Sequence, residues 1–118
     1  MKGIFVGTDN TIEIKEYSQP LFKSLENDLR GSMERVNPKG LPDKFMFFCN
    51  ERGLSLGLPI NGIATYLYQQ PIIVGNVVIF KEGYVIDGID TVDMTDDEAK
   101  GIVEGLETFK KNEGSEFK

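Results

Sequence analysis

The chain has 118 residues, 40% apolar and 27% charged, so it is sized for one domain with its own core and is not composed like a disordered, collagenous or coiled-coil sequence. It has no histidine, no tryptophan and one cysteine, which excludes Ser-His-Asp and Cys-His pairs, a thiolate zinc cage and an internal disulfide. The net charge of -6 falls entirely in the last third: residues 1–83 hold nine acidic and nine basic side chains, residues 84–118 ten and four.

Ile4-Phe5-Val6, then Gly7 to Asn10, then Thr11 to Lys15 predict a β-hairpin, with alternation of apolar and charged residues in its second strand giving one buried and one wet face. Ser18-Gln19-Pro20 predicts a helix start, capped by Ser18 or Gln19 with Pro20 in the first turn. Leu21, Phe22, Leu25 and Leu29 should share one face of that helix, and Gly31 is placed to end it. A short strand over 32–36 runs into the turn-rich stretch Asn37 to Asp43.

Phe45 to Cys49 is apolar on both faces and predicts a central strand, followed by a tight turn at Asn50 to Gly53. Leu54, Leu56 and Leu58 alternate with Ser55 and Gly57 and suit an extended return segment. Asn61 is a good N-cap for a short helix over Gly62 to Tyr68, with Ile63, Ala64 and Leu67 on one side, broken by Gln69-Gln70-Pro71. Ile72 to Val74 and Val77 to Phe80 are β-branched stretches flanking Gly75-Asn76, which reads as a bulge or a close backbone approach. Lys81 to Gly83 predicts a turn, with Tyr84 to Asp87 returning antiparallel.

Thr95 with Glu98 three residues on forms a capping box, and Asp96 and Asp97 sit in the positive first turn of the last helix. Ala99, Ile102, Val103, Leu106 and Phe109 repeat at helical spacing, Lys110 and Lys111 suit the negative end, and Gly114 is a stop. Residues 115–118 have nothing to anchor them and are expected to be disordered, leaving a single domain over 1–114. The order of elements predicts an α+β fold: a mainly antiparallel sheet, two principal helices, and a short helical turn after the Leu-Pro-x-Asn motif.

Cys49-Asn50-Glu51-x-Gly53-Leu54, Leu58-Pro59-x-Asn61-x-x-Ala64, Ile73-Val74-Gly75-x-Val77-Val78-Ile79 and the helix opening Met94-Thr95-Asp96-Asp97-Glu98 occur in that order. The set resembles an uncharacterised domain-of-unknown-function family of small proteins encoded by phages, prophages, plasmids and conjugative elements. The match runs over about the last 75 residues, with a looser fit before them; the connection from Asn61 to Ile72 is short where relatives often carry an insert. The resemblance implies a mobile-element accessory protein of a bacterial cytoplasm and brings no catalytic residues with it.

Amides and tyrosines gather around the same motif: Asn50, Arg52, Asn61, Thr65, Tyr66, Tyr68 and Asn76, with Glu51, Gln69 and Gln70 beside them. Amides supply paired donors and acceptors, tyrosine a flat face with a polar tip, and arginine a partner for phosphate or carboxylate, which together suit a small, nucleotide-like ligand. The structural alternative is that the asparagines cap turns and the tyrosines are half-buried. With no histidine, the cluster reads as a binding surface rather than a catalyst, and a small domain would build such a site best by pairing as a homo-oligomer.

A second class of function uses the acidic last helix, through Asp96, Asp97, Glu104 and Glu107, to occupy a basic, DNA-binding surface of a host defence protein. The same charge argues against direct nucleic-acid binding. A third class, a carboxylate-based hydrolase, needs an acid pair across a cleft that the spacing does not supply. Cys49 has no base beside it and reads as core. Asp87, Asp90 and Asp93 lack the order of a calcium loop, so neither metal nor cofactor is expected. The longest apolar runs are too short for a membrane span and no signal-peptide pattern opens the chain, so a soluble cytoplasmic protein is expected.

Overall fold

A computed structural model describes residues 1–69, 72–86 and 88–113. Among them the chain forms a six-stranded antiparallel sheet and four helices, the α+β architecture that the sequence predicts. β1 (Lys2–Val6) and β2 (Ile12–Glu16) make the first hairpin, with Ile4 opposite Ile14. β2 is an edge strand, and there the expected buried face fails: Ile12 is half-buried but Ile14 is exposed, because at the sheet edge the covering layer reaches only one end of the strand.

The single helix predicted after Ser18 is two single turns, α1 (Leu21–Ser24) and α2 (Glu26–Leu29), joined at Leu25. Neither Ser18 nor Gln19 caps it; Pro20 holds the N-cap position, and Ser24 Oγ reaches back to accept the Ser18 N–H at 3.1 Å. Leu21, Leu25 and Leu29 are buried, whereas Phe22 is exposed: it lies about 100° around the helix from Leu21, off a stripe one residue wide. The chain leaves α2 through Arg30 in the left-handed region and Gly31, also at positive φ.

β3 (Met33–Val36) and β4 (Phe45–Asn50) pair antiparallel, and β4 lies inside the sheet beside β5 (Val77–Val85). The sheet order is β2-β1-β5-β4-β3, with β6 (Gly88–Val92) paired to the far half of β5. Two expectations are corrected here. Lys81 to Gly83 is no turn but continues β5, because Lys81 finds ladder partners in both Phe45 and Val92 and the Glu82 N–H donates to Lys44 O at 2.7 Å. The return strand is accordingly Gly88–Val92 rather than Tyr84 to Asp87. Tertiary pairing outweighs a local Lys-Glu-Gly sequence.

The segment carrying Leu54, Leu56 and Leu58 is not extended either. Among the described residues no strand pairs with it, and its backbone bonds to itself: Leu56 N–H to Arg52 O at 3.0 Å and Leu58 N–H to Gly53 O at 3.0 Å. Gly57, at φ +70°, turns the chain, and Leu54 and Leu56 are left exposed.

Both sheet faces are covered. Ile4, Val6, Phe47, Val77 and Ile79 face α3 (Gly62–Tyr68) and α4 (Asp96–Glu113), meeting Ile63, Leu67, Ala99 and Leu106. Met46, Phe48, Val78 and Phe80 face the other way, against Tyr17, Leu21, Leu25 and Leu29. This is why Phe45 to Cys49 is apolar without alternation: successive side chains enter two different cores. Gly3 belongs to the second face, where a Cβ would come within 2.8 Å of Val78 and 2.9 Å of the Phe80 ring. The capping box at α4 is formed in both directions, Thr95 N–H to Glu98 Oε1 at 2.8 Å and Glu98 N–H to Thr95 Oγ1 at 3.1 Å. Gln70, Pro71, Asp87, Gly114 and the predicted tail over 115–118 lie outside the described residues.

Tyr17 closes the second core. Its ring meets Phe80 edge-on at 5.5 Å, and its hydroxyl donates to Asp28 Oδ2 at 2.7 Å, where Lys15 Nζ also donates at 3.0 Å. Burial, and then the hydrogen bond to Asp28, push the Tyr17 phenol well above the usual tyrosine value. With the folded-state pKa raised above the unfolded one, this contribution is complete below about pH 10 and is lost progressively above it. Tyr17→Phe should lower stability at pH 7 by about 1 kcal/mol and flatten the alkaline fall, as read by urea unfolding across pH 7 to about 11; an unchanged alkaline slope would contradict the assignment.

Candidate functional site

The three asparagines of the predicted cluster prove to be backbone ties. Asn61 is completely buried. Its Oδ1 accepts the Ala64 N–H at 3.0 Å as the expected N-cap of α3, while its Nδ2 donates to Val6 O and Gly75 O, each at 3.0 Å. Asn50 Nδ2 donates to Leu29 O at 2.8 Å and Arg30 O at 3.0 Å, and its Oδ1 accepts the Arg52 N–H at 2.7 Å. Asn76 Nδ2 donates to Asp28 O at 3.0 Å, with Thr8 N–H donating to its Oδ1 at 3.1 Å. Asn50 and Asn76 thus receive three consecutive carbonyls at the end of α2, groups that a helix terminus leaves without intrahelical partners.

Thr65 belongs to the same framework: its Oγ1 accepts the Ile73 N–H at 2.9 Å and donates to Ile73 O at 3.3 Å. Between Asn61 and Asn76 the chain makes the close approach that the glycine suggested. Gly75 sits at φ +80°, its N–H donates to Pro59 O at 2.7 Å, and a Cβ there would come 2.8 Å from Leu58 Cδ1. Tyr68 is half-buried against the α3/α4 core. Arg52 is exposed in a separate shallow groove with Leu54 and Ile72.

Tyr66 stands apart. Half its surface is exposed, and its ring stacks on Phe109 of α4 with centroids 3.9 Å apart and planes 25° from parallel. The stacked pair closes one side of a cleft of about 500 Å³ between α3, α4 and the loop at Gly40 to Pro42. Phe45, Leu67, Ile102 and Leu106 supply its apolar lining. The loop is pinned by the Gly40 N–H on Leu67 O at 2.9 Å, so close that a Cβ on Gly40 would come 2.9 Å from that oxygen. On the α4 side the cleft is bordered by Gly101 and Gly105, one helical turn apart, where a Cβ would meet nothing within 4 Å.

Of the four acidic residues singled out on α4, Asp97 also lines this cleft. Asp96 lies 3.5 Å from Lys2 Nζ and Glu107 3.4 Å from Lys110 Nζ, so each is partly neutralised by its own chain; Glu104 is exposed. Glu98, beside Asp97, pairs with Lys81 at 2.8 Å, and that pairing, then the Thr95 N–H, holds its carboxyl below the usual carboxylate range. Cys49 is buried, and burial followed by the Glu34 charge pushes its thiol up to about 11. Asp93 accepts the Lys2 N–H at 2.8 Å and Asp90 the neighbouring Thr91 N–H at 2.7 Å. Among the described residues no group of three His, Cys, Asp or Glu side chains could hold a metal ion, and no helix is long and apolar enough to cross a membrane.

A family model described as a domain of unknown function, DUF3846, matches residues 1–107. The chain belongs to this family. No curated protein and no solved structure matches it. The DUF3846 match takes in the whole sheet, the three asparagine ties and both glycines on the cleft side of α4.

From the sequence, the cleft was reachable through one unused signal: two glycines at i and i+4 in a helix that is otherwise well capped, each disfavouring the helix by about 0.8–1.0 kcal/mol relative to alanine. Opposite outcomes follow for the two kinds of residue in this DUF3846 domain. Asn61→Ala should lose about 3 kcal/mol, since it removes a cap and strands two buried carbonyls. Gly105→Ala should gain about 0.5–1 kcal/mol, having only open space to fill. Urea unfolding of both variants checks the pair; a neutral Asn61→Ala would show that the buried amide is dispensable.

Proposed function

We propose that this domain is a non-enzymatic binding module that takes a small, nucleotide-like ligand, with a planar base in the cleft between α3 and α4. The observation that carries this reading is the half-exposed, stacked Tyr66–Phe109 pair beside an apolar cleft of about 500 Å³. Small-molecule sites are typically concave, largely apolar, about 300–1,000 Å³ in volume and furnished with a few polar groups. Asp97 and Glu98 both line the cleft; Glu98 is engaged by Lys81, which leaves the Asp97 carboxylate to meet the amino or ring N–H edge of a base. Asp96, Asp97 and Glu98 oppose a phosphate at this end of α4, so the base rather than the phosphate is the recognised part.

The ligand is therefore reassigned from the amide cluster to Tyr66 and the α4 glycines. The ordered motifs that resemble phage and plasmid proteins support the wider role of an accessory protein that sequesters a nucleotide-derived immune signal. Melting in the presence of adenosine, ADP-ribose and cyclic nucleotides tests the binding. At least one should raise the melting temperature, by the amount that ligand excess over Kd dictates. Base–aromatic stacking contributes about 1–3 kcal/mol, so Tyr66→Ala should weaken that ligand by roughly 5- to 100-fold. Gly101→Leu should abolish binding by filling the cleft while leaving the protein more stable. No shift with any of the compounds, or a Gly101→Leu variant that binds normally, would sink the reading.

A further inference from the structure

The cleft between α3 and α4 is longer than one base. Asp97, Gly101, Gly105 and Phe109 all line it, each four residues after the last on α4. At about 1.5 Å of rise per residue, Asp97 and Phe109 stand about 18 Å apart along the helix axis. A purine is shorter than two helical turns, about 11 Å. One base therefore does not lie against the Tyr66–Phe109 pair and reach Asp97 at the same time.

The two ends offer different chemistry. At one, the stacked Tyr66 and Phe109 rings present aromatic surface, with Tyr66 half-exposed. At the other, Asp97 is exposed and has no ion-pair partner among the described residues, while Glu98 beside it is held by Lys81 at 2.8 Å. An aromatic ring suits the face of a base, and a free carboxylate suits the N–H edge of one. Between the ends the lining is apolar, with Leu67, Ile102 and Leu106. Gly101 and Gly105 are exposed along this middle stretch, with open space where a Cβ would stand, which leaves room for a linker to pass over the helix. Lys100 and Glu104, exposed on the same stretch of α4, offset each other's charge. A single phosphate there meets less repulsion than it would beside Asp96, Asp97 and Glu98 in the first turn.

We propose that the cleft takes a dinucleotide: two bases joined by one phosphodiester, the first stacked at Tyr66, the second held by its edge at Asp97, the linker crossing Gly101 and Gly105. This rests on the reading of the cleft as a base-binding site and specifies its ligand. Joining the two bases makes the second contact intramolecular, at an effective concentration in the millimolar range for a short linker. The dinucleotide should accordingly bind more tightly than a nucleoside by a factor on the order of 100.

Isothermal titration calorimetry with adenosine and with adenylyl-(3′→5′)-adenosine tests this. The dinucleotide should bind one per chain and with that advantage over adenosine. Asp97→Ala and Tyr66→Ala each remove one anchor, so in either variant the dinucleotide should fall to the affinity that adenosine has for the wild-type chain. Asp97 is exposed and unpaired, so its variant stays folded and carries the test even if Tyr66→Ala is unstable. Equal affinity of the wild-type chain for the two compounds, or an advantage that survives Asp97→Ala, would overturn the dinucleotide proposal while leaving the cleft as a site for a single base. Binding of neither compound would overturn both.

Discussion

Under α3 three backbone groups meet around the fully buried Asn61: the Val6 carbonyl at the end of β1, the Gly75 carbonyl before β5, and the Ala64 N–H in the first turn of the helix. One side chain serves all three. The Asn61 amide is the right size and has the right polarity at each end, two donors toward the carbonyls and an acceptor toward the helix. A buried polar group left unpaired would cost about 1–3 kcal/mol, so these bonds fix where α3 sits on the sheet. The rest of that face depends on the placement: α3 positions Tyr66, Tyr66 meets Phe109 on α4, and the space between the helices becomes the cleft.

Asn50 and Asn76 do similar work on the opposite side. The two turns of α1 and α2 are too short to be stable as isolated helices. They are held by Leu21, Leu25 and Leu29 in the second core and by two amides that receive the carbonyls of residues 28 to 30. Asn76 also accepts the Thr8 N–H, so one side chain joins the first hairpin, the α2 terminus and the start of β5. Together the three amides tie connecting loops to the sheet at points where no ladder bond is available.

Much of this was legible in the sequence. Period-2 alternation, the β-branched start of β5 and the Thr95–Glu98 capping box rest on local chemistry, and a strand or helix formed at each, though the buried face expected of β2 did not form and β5 runs on past Phe80. Failures came where a distant partner decided the outcome. Lys81 to Gly83 reads as a turn until β4 and β6 supply its hydrogen bonds, and the Leu54 to Leu58 alternation reads as a strand until, among the described residues, no partner strand is found for it. The amides of the predicted cluster are spread over the fold: Asn61 lies under α3, Asn50 and Asn76 at the end of α2, and Arg52 and Tyr66 apart from all three. What the sequence does not show is that the partners of these amides are backbone groups of the same chain, contributed from β1, α2 and the segment before β5. The cleft was hidden for the same reason, since Phe45, Tyr66 and Phe109 come from three distant parts of the chain.

The division of labour proposed here is that the asparagines hold the fold while the cleft beside Tyr66 is the ligand site. Two-dimensional NMR of the amide-labelled protein, titrated with adenosine, separates the two most directly. The account predicts that backbone resonances of Tyr66, Gly101 and Gly105 move together and saturate, while the side-chain NH₂ resonances of Asn50 and Asn61 stay in place. Movement of those side-chain amides with Gly101 and Gly105 unaffected would contradict it and return the binding site to the amide cluster.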